Sequence, residues 1–411
     1  MRSVHLKIGS LDYEEALIPT EIFLVLIINL STILKMESVT SNAFALSTIL
    51  LVLDILFHLR NFNSYVFLFA LIAGAQVLFT GVRNGANVFS IMYLRKYILA
   101  FSTVFIFYIA SRVRVTKNTV RFILAISTII CFLYPIGYYV LNQRERLADG
   151  ITINFVNPNF IAMWLLVAIL YIVYVFFEVK PLILKAALFI VGALLVNLLV
   201  ETRCRGAIFS LVFYTAFSVL YNLKTILNND NKSLGKATLA LIAAIPALFA
   251  VIYLNMVDNP FLIQTFSFLD SKGKSLTSRV FIWNRALNII KDYPLFGNYY
   301  LATDGTGISQ LHNTHLDILA TYGSIVLALF IKILYDTFCE INSQKKTNLQ
   351  MLAFIAFFSA IFMGCFEAAL VSGGIGINYW VSGFILLARY KKTAIEVTND
   401  KKRFNVLSPE N

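Results

Sequence analysis

"LHNTHLDILATYGSIVLALF", residues 311–330, opens on polar side chains and two histidines, then carries no charge after Asp317. It reads as the polar mouth of a membrane helix. A helix needs roughly 17 to 25 mostly apolar residues to cross a bilayer, and stretches of that kind recur along nearly the whole chain. Twelve can be marked: 17–34, 41–58, 65–82, 93–111, 119–140, 159–177, 182–200, 206–222, 234–255, 315–338, 350–370 and 373–388. The composition agrees. Of 411 residues, 59% are hydrophobic and 14% charged, against about 25% charged in a soluble domain; mean hydropathy is +0.76. The expected fold is an all-α polytopic membrane protein of about twelve spans. Residues 1–411 form one membrane domain, with one long extracytoplasmic loop at 256–314.

The net charge of +12 raises the question of a nucleic-acid partner, and its distribution answers it. With the N-terminus in the cytoplasm, the cytoplasmic loops hold Arg112, Arg114, Lys117, Arg121, Lys180, Lys185, Lys224, Lys232 and Lys236 among others, and the tail adds six more from Arg389 to Arg403. This is the positive-inside pattern, so no nucleic acid is needed to explain it. Both termini are expected in the cytoplasm, in a multi-pass protein of the cytoplasmic (inner) membrane. The polar start "MRSVHLKIGSLDYEEA" and the long apolar segment after it predict a retained helix, not a cleaved leader. The four cysteines have neither pairing nor metal-ligand spacing.

The exceptions to the charge pattern carry the information. Arg83, Arg203, Arg205, Arg279 and Arg285 fall on the outer side, and Arg95 with Lys96 interrupt the outer end of the fourth span. An ionisable residue at membrane depth costs at least ~2.5 kcal/mol and usually faces a cavity. One anionic ligand at the outer surface would account for all of them, because a guanidinium fork binds two phosphate oxygens at once. Snorkelling to lipid headgroups is the simpler alternative. Asp54 and His58, at (i, i+4) in the second span, read as a pair that satisfies itself, with no function.

In the outer loop, "SRVFIWNRALNIIKD" has Val280, Trp283, Ala286, Leu287 and Ile290 at helical spacing. It predicts an interfacial amphipathic helix over 278–292, with Trp283 as headgroup anchor and Arg279 on the same face. Pro294 and Gly297 end the pattern. Asn313 or Thr314 can cap the tenth span. His312 and His315, at (i, i+3), admit three readings: capping, a metal pair without a third ligand nearby, or proton transfer by a neutral imidazole.

Taken in order, these segments resemble the signature region of the O-antigen ligase and Wzy-type polysaccharide polymerase superfamily. Arg279 and Trp283 fit its R-x-x-x-W helix, Pro294 and Gly297 its P-x-x-G turn. His312, Asn313 and Leu316 fit H-N-x-x-L, and Gly323 the small motif of the late span. Cys204-Arg205-Gly206-Ala207 stands where the family has S-R-G-A. The resemblance implies a metal-independent, inverting glycosyltransferase of the GT-C type without a cofactor. Its site faces outward and its donor is an undecaprenyl-pyrophosphate-linked oligosaccharide. It implies His312, Arg205 and Arg279 as catalytic residues. Arg203, Arg83, Arg95, Lys96, Asn313, His315 and Trp283 would bind substrate, with His315 or Asp317 orienting the base. Membrane lipids, a chain-length regulator and a flippase of the same pathway are the implied partners.

The Ile-, Asn-, Lys- and Phe-rich usage points to an AT-rich genome, which favours a polymerase of capsule or exopolysaccharide repeat units. Ligase-type transfer to another acceptor shares the same motifs. A flippase or transporter would place its charges near the midplane and in two related halves; here they sit at one interface.

Overall fold

The computed structural model describes residues 7–8, 11–83, 102–113, 115–141, 144–147, 150–153, 158–228, 235–256, 276–298, 301, 311–343, 346–367 and 375–390. The chain is a bundle of apolar helices. They are α1 (Tyr13–Ile33), α2 (Glu37–His58), α3 (Ser64–Arg83), α4 (described over 102–110), α5 (Lys117–Pro135), α6 (Pro158–Glu178) and α7 (Leu182–Glu201). Then come α8 (Arg205–Asn228), α9 (Lys236–Met256), α10 (Leu276–Asp292), α11 (Thr314–Asn342), α12 (Asn348–Met363) and α13 (Ile375–Arg389). Each of the twelve expected stretches coincides, wholly or in part, with one of these helices, and α10 lies in the long loop. Among the described residues, five helices are long and apolar enough to cross a membrane: Glu37–His58, Lys117–Val140, Pro158–Glu178, Leu182–Glu201 and Thr314–Asn342.

The expectation of an all-α chain needs one amendment. Two short antiparallel hairpins are present, Lys7–Ile8 with Leu11–Asp12 and Arg144–Leu147 with Gly150–Ile153. The second joins α5 to α6, in a segment whose Ile151, Thr152 and Ile153 are β-branched.

The core forms where apolarity runs all round a helix. In α6, Pro158 takes the first helical turn, where its missing N–H costs nothing, and most of the side chains behind it are buried. It packs on α5, α7, α8 and α12. Tyr171 of α6 stacks on Trp380 and Phe384 of α13 and donates to the Trp380 carbonyl at 2.7 Å. By contrast, α2 and α7 turn Leu56, Leu182, Ile183 and Phe189 outward. So continuous an apolar surface is the mark of a lipid boundary. Within α5, Pro135 is followed by a π turn over Ile136–Val140, the local adjustment expected beside a proline.

Candidate functional site

The start of α11 is built by Asn313. Its side chain accepts from the Leu316 N–H at 2.9 Å, which caps the helix. Its Nδ2 donates to the carbonyls of Pro246 on α9, at 2.9 Å, and Cys365 beyond α12, at 3.1 Å. His315, one turn on, donates from Nε2 to the Ala243 carbonyl at 2.9 Å. Pro246 loosens the α9 ladder at this turn, and two carbonyls of the turn take donors from α11. Both Asn313 and His315 are buried. They fasten helix to helix, and Nδ1 of His315 is buried without a hydrogen-bond partner among the described residues.

His312 differs. It is a quarter exposed and its backbone sits at φ +51°, a region that disfavours side chains and costs on the order of 1–3 kcal/mol. Its Nδ1 lies 2.8 Å from Oε2 of Glu367, whose side chain is 3% exposed. A carboxylate accepts, so Nδ1 carries the proton and Nε2 presents a lone pair, with no partner among the described residues. Glu367 is held from behind: Thr314 Oγ1 donates to its carbonyl at 3.1 Å, and the Thr314 N–H to that of Gly364 at 2.8 Å. The two histidines point to different helices and do not converge on a common point. Asp317 acts on His312 through space, but the direct contact is with Glu367.

Sequence reasoning missed Glu367. "MGCFEAALVSGG" contains one carboxylate in an apolar run, and a lone ionisable residue at such a depth was the available signal.

The same connection brings Arg205 alongside. A Cβ on Gly206 would lie 2.5 Å from Cβ of Phe366, so the start of α8 sits directly against the residue before Glu367. Phe366 also stacks on Phe209 and meets Phe249 edge-on. The glycine of the Cys204–Ala207 element thus admits a neighbouring loop. Arg205 is half-buried and Arg203 exposed; neither side chain has a hydrogen-bond or ion-pair partner among the described residues. Arg203 holds φ +57° in the tight turn from α7 to α8, where glycine would cost less.

Trp283 does not lie in a headgroup layer as its spacing suggested. It is 1% exposed, and Nε1 donates to the Leu311 carbonyl at 2.7 Å. The indole anchors the residue before His312. Behind it, the turn after α10 locks into a break in α11. Gly297 (φ +63°) and Gly323 (φ +87°) pack back to back, and a Cβ on Gly323 would meet the Leu295 oxygen at 2.1 Å. The Asn298 N–H bonds Ala320 O at 2.8 Å, and the Ser324 N–H bonds Pro294 O at 3.0 Å. The P-x-x-G turn and the glycine of the late span are two halves of one joint.

Arg279 lies one turn before Trp283 on α10; its side chain and that of Arg83 are outside the described residues, as are Arg95 and Lys96 altogether.

A comparison with curated proteins found no match. Residues 160–331 match the family model described as O-antigen ligase. That segment contains Arg203, Arg205, Arg279, Trp283, His312, Asn313 and His315 and ends before Glu367. The family's members are glycosyltransferase-like enzymes that suggest a lipid-linked oligosaccharide substrate in the membrane. The match supports the resemblance to the O-antigen ligase and Wzy superfamily over residues 160–331.

Proposed function

We propose that the protein is a polymerase of the GT-C type with twelve spans. It joins undecaprenyl-pyrophosphate-linked oligosaccharide repeat units into a surface polysaccharide on the outer face of the cytoplasmic membrane. The observation that carries this reading is the His312–Glu367 pair, beside the start of α8, with neither Nε2 of His312 nor the Arg205 side chain partnered among the described residues.

In the proposed reaction Nε2 of His312 takes the proton of an acceptor sugar hydroxyl. The oxygen attacks the anomeric carbon of the donor from the face opposite the leaving group. The bond from that carbon to the phosphate oxygen breaks, and undecaprenyl pyrophosphate departs with the electron pair. The anomeric centre inverts. Arg205 and Arg279, with Arg203, offset the charge that grows on the pyrophosphate, the task a divalent cation performs in other transferases. Glu367 keeps the imidazole in the tautomer that accepts at Nε2 and stabilises the imidazolium, as a buried carboxylate does in a hydrolase triad. A general base of this kind contributes roughly 10²–10⁴-fold.

Transfer to a different acceptor, as a ligase performs it, uses the same groups. The Ile-, Asn-, Lys- and Phe-rich usage is what favours the polymerase. Carrier-linked glycans from a deletion strain separate the two readings: single repeat units accumulate if a polymerase is lost, full-length polymer on the carrier if a ligase is lost.

A further inference from the structure

A second buried polar group lies at the far end of the bundle from His312. Glu21 on α1, Ser47, Asp54 and His58 on α2, and Tyr379 on α13 meet where these three helices pack. The neighbouring α3 fixes which end this is. Its Tyr65 donates to Asp336 at 2.5 Å, 22 residues along α11 from Thr314, about 33 Å at ~1.5 Å per residue. The five side chains are all within 5% of full burial.

The Asp54–His58 pair does not close on itself. His58 Nδ1 donates to the backbone carbonyl of Asp54 at 2.8 Å, and Tyr379 Oη donates to Asp54 Oδ2 at 3.0 Å. Both oxygens of Glu21, Oδ1 of Asp54, Oγ of Ser47 and Nε2 of His58 have no hydrogen-bond partner among the described residues. Glu21 lies beside Ser47 and Tyr379 and feels the charge of Asp54, which feels that of His58. Among the described residues no lysine or arginine acts on either carboxyl. On α5, which packs against α1, Tyr134 donates to Asn29 and Cys131 to the Ala168 carbonyl, so neither offers a compensating charge.

Two buried carboxylates against one imidazole leave a negative charge unbalanced even if His58 is protonated. A buried acid without a partner neutralises instead of ionising, and chains of carboxyl, hydroxyl and imidazole inside membrane helices serve as proton paths. Burial without a cationic partner favours the neutral, protonated form of one of the two acids. We propose that Glu21, Tyr379, Asp54 and His58 form a buried proton-binding relay, separate from the transferase site. Glu21 stores the proton, and His58, the last residue of α2, exchanges it with water on the side away from His312. In the transfer the Glu21 O–H passes its proton to Tyr379 Oη while Tyr379 passes its own to Asp54. Asp54 then passes the proton to Nε2 of His58, which is buried and without a partner among the described residues, and the imidazolium gives it to water when the ring swings outward at the end of α2; no other bond changes.

The test is infrared difference spectroscopy of the full-length protein in lipid nanodiscs at neutral pH, before and after transfer to heavy water. The expected spectrum holds the carbonyl stretch of a protonated, buried carboxyl, absent in Glu21→Gln. His58→Gln should keep the band and slow its heavy-water shift by about 10²-fold, the lower end of what a positioned proton-transfer group contributes. Absence of the band in wild type, its survival in Glu21→Gln, or wild-type exchange in His58→Gln would each overturn the relay. Loss of the band on adding sodium at constant pH would replace the proton with a cation and overturn it too. Should Glu21→Gln not assemble, the wild-type spectrum and His58→Gln still decide the matter.

Discussion

Replacing Glu367 with glutamine changes one charge and no atom positions, and its effect follows from the 2.8 Å contact with His312. In the proposed reaction the carboxylate accepts from Nδ1–H and faces the imidazolium that forms as the acceptor hydroxyl gives up its proton. Glutamine can present its carbonyl to the same N–H, but it brings no negative charge to the imidazolium. A hydrogen bond to a charged group contributes roughly 1.5–3 kcal/mol, and ~1.4 kcal/mol is a factor of ten in rate. Glu367→Gln should therefore lower kcat by about 10- to 150-fold, with KM little changed. Glu367→Asp pulls the carboxylate back by one methylene and should recover only part of the rate. The assay is single-turnover elongation of a carrier-linked repeat unit by purified protein, with His312→Ala as the inactive reference. Wild-type kcat in Glu367→Gln, beside an inactive His312→Ala, would overturn this role: Glu367 would then only hold a loop.

Arg205→Ala and Arg279→Ala should each abolish polymer in cells while the protein still reaches the membrane; lysine should restore little, since it lacks the bidentate fork. Gly323→Ala places a methyl group 2.1 Å from the Leu295 oxygen at a positive φ; the backbone conformation alone costs on the order of 1–3 kcal/mol, so a lower thermal midpoint in detergent and less protein in the membrane are expected. Reporter fusions near residue 230 and after 390 should read cytoplasmic, and those between 260 and 310 external.

Apolar length and charge asymmetry made the helices legible, because both are imposed locally by the bilayer on each segment. The order of motifs made the family legible. Side-chain direction was not, and the site turns on it. Trp283 looked like a headgroup anchor because its spacing gives only the face it occupies; that face meets Leu311, not lipid. His315 shares a helix turn with His312 yet faces α9, while His312 precedes the helix at a positive φ that no spacing argument registers. Glu367 sits 55 residues from His312, so only the clasp between the start of α11 and the end of α12 brings the two together. The hairpin at Arg144–Ile153 escaped for a similar reason, since its strands are too short for an alternation to stand out. Asp54 and His58 looked self-contained at (i, i+4), but the partners that matter come from α1 and α13.

In the proposed reaction one histidine, oriented by a carboxylate, activates the acceptor and arginines offset the leaving-group charge, without a metal. Its most direct test is reconstitution of the purified protein with a defined undecaprenyl-pyrophosphate-linked oligosaccharide as donor and acceptor, in the presence of a chelator. The account predicts a ladder of longer carrier-linked glycans with one undecaprenyl pyrophosphate released per linkage, absent in His312→Ala. No elongation until a divalent metal is restored, or undiminished elongation by His312→Ala, would contradict it.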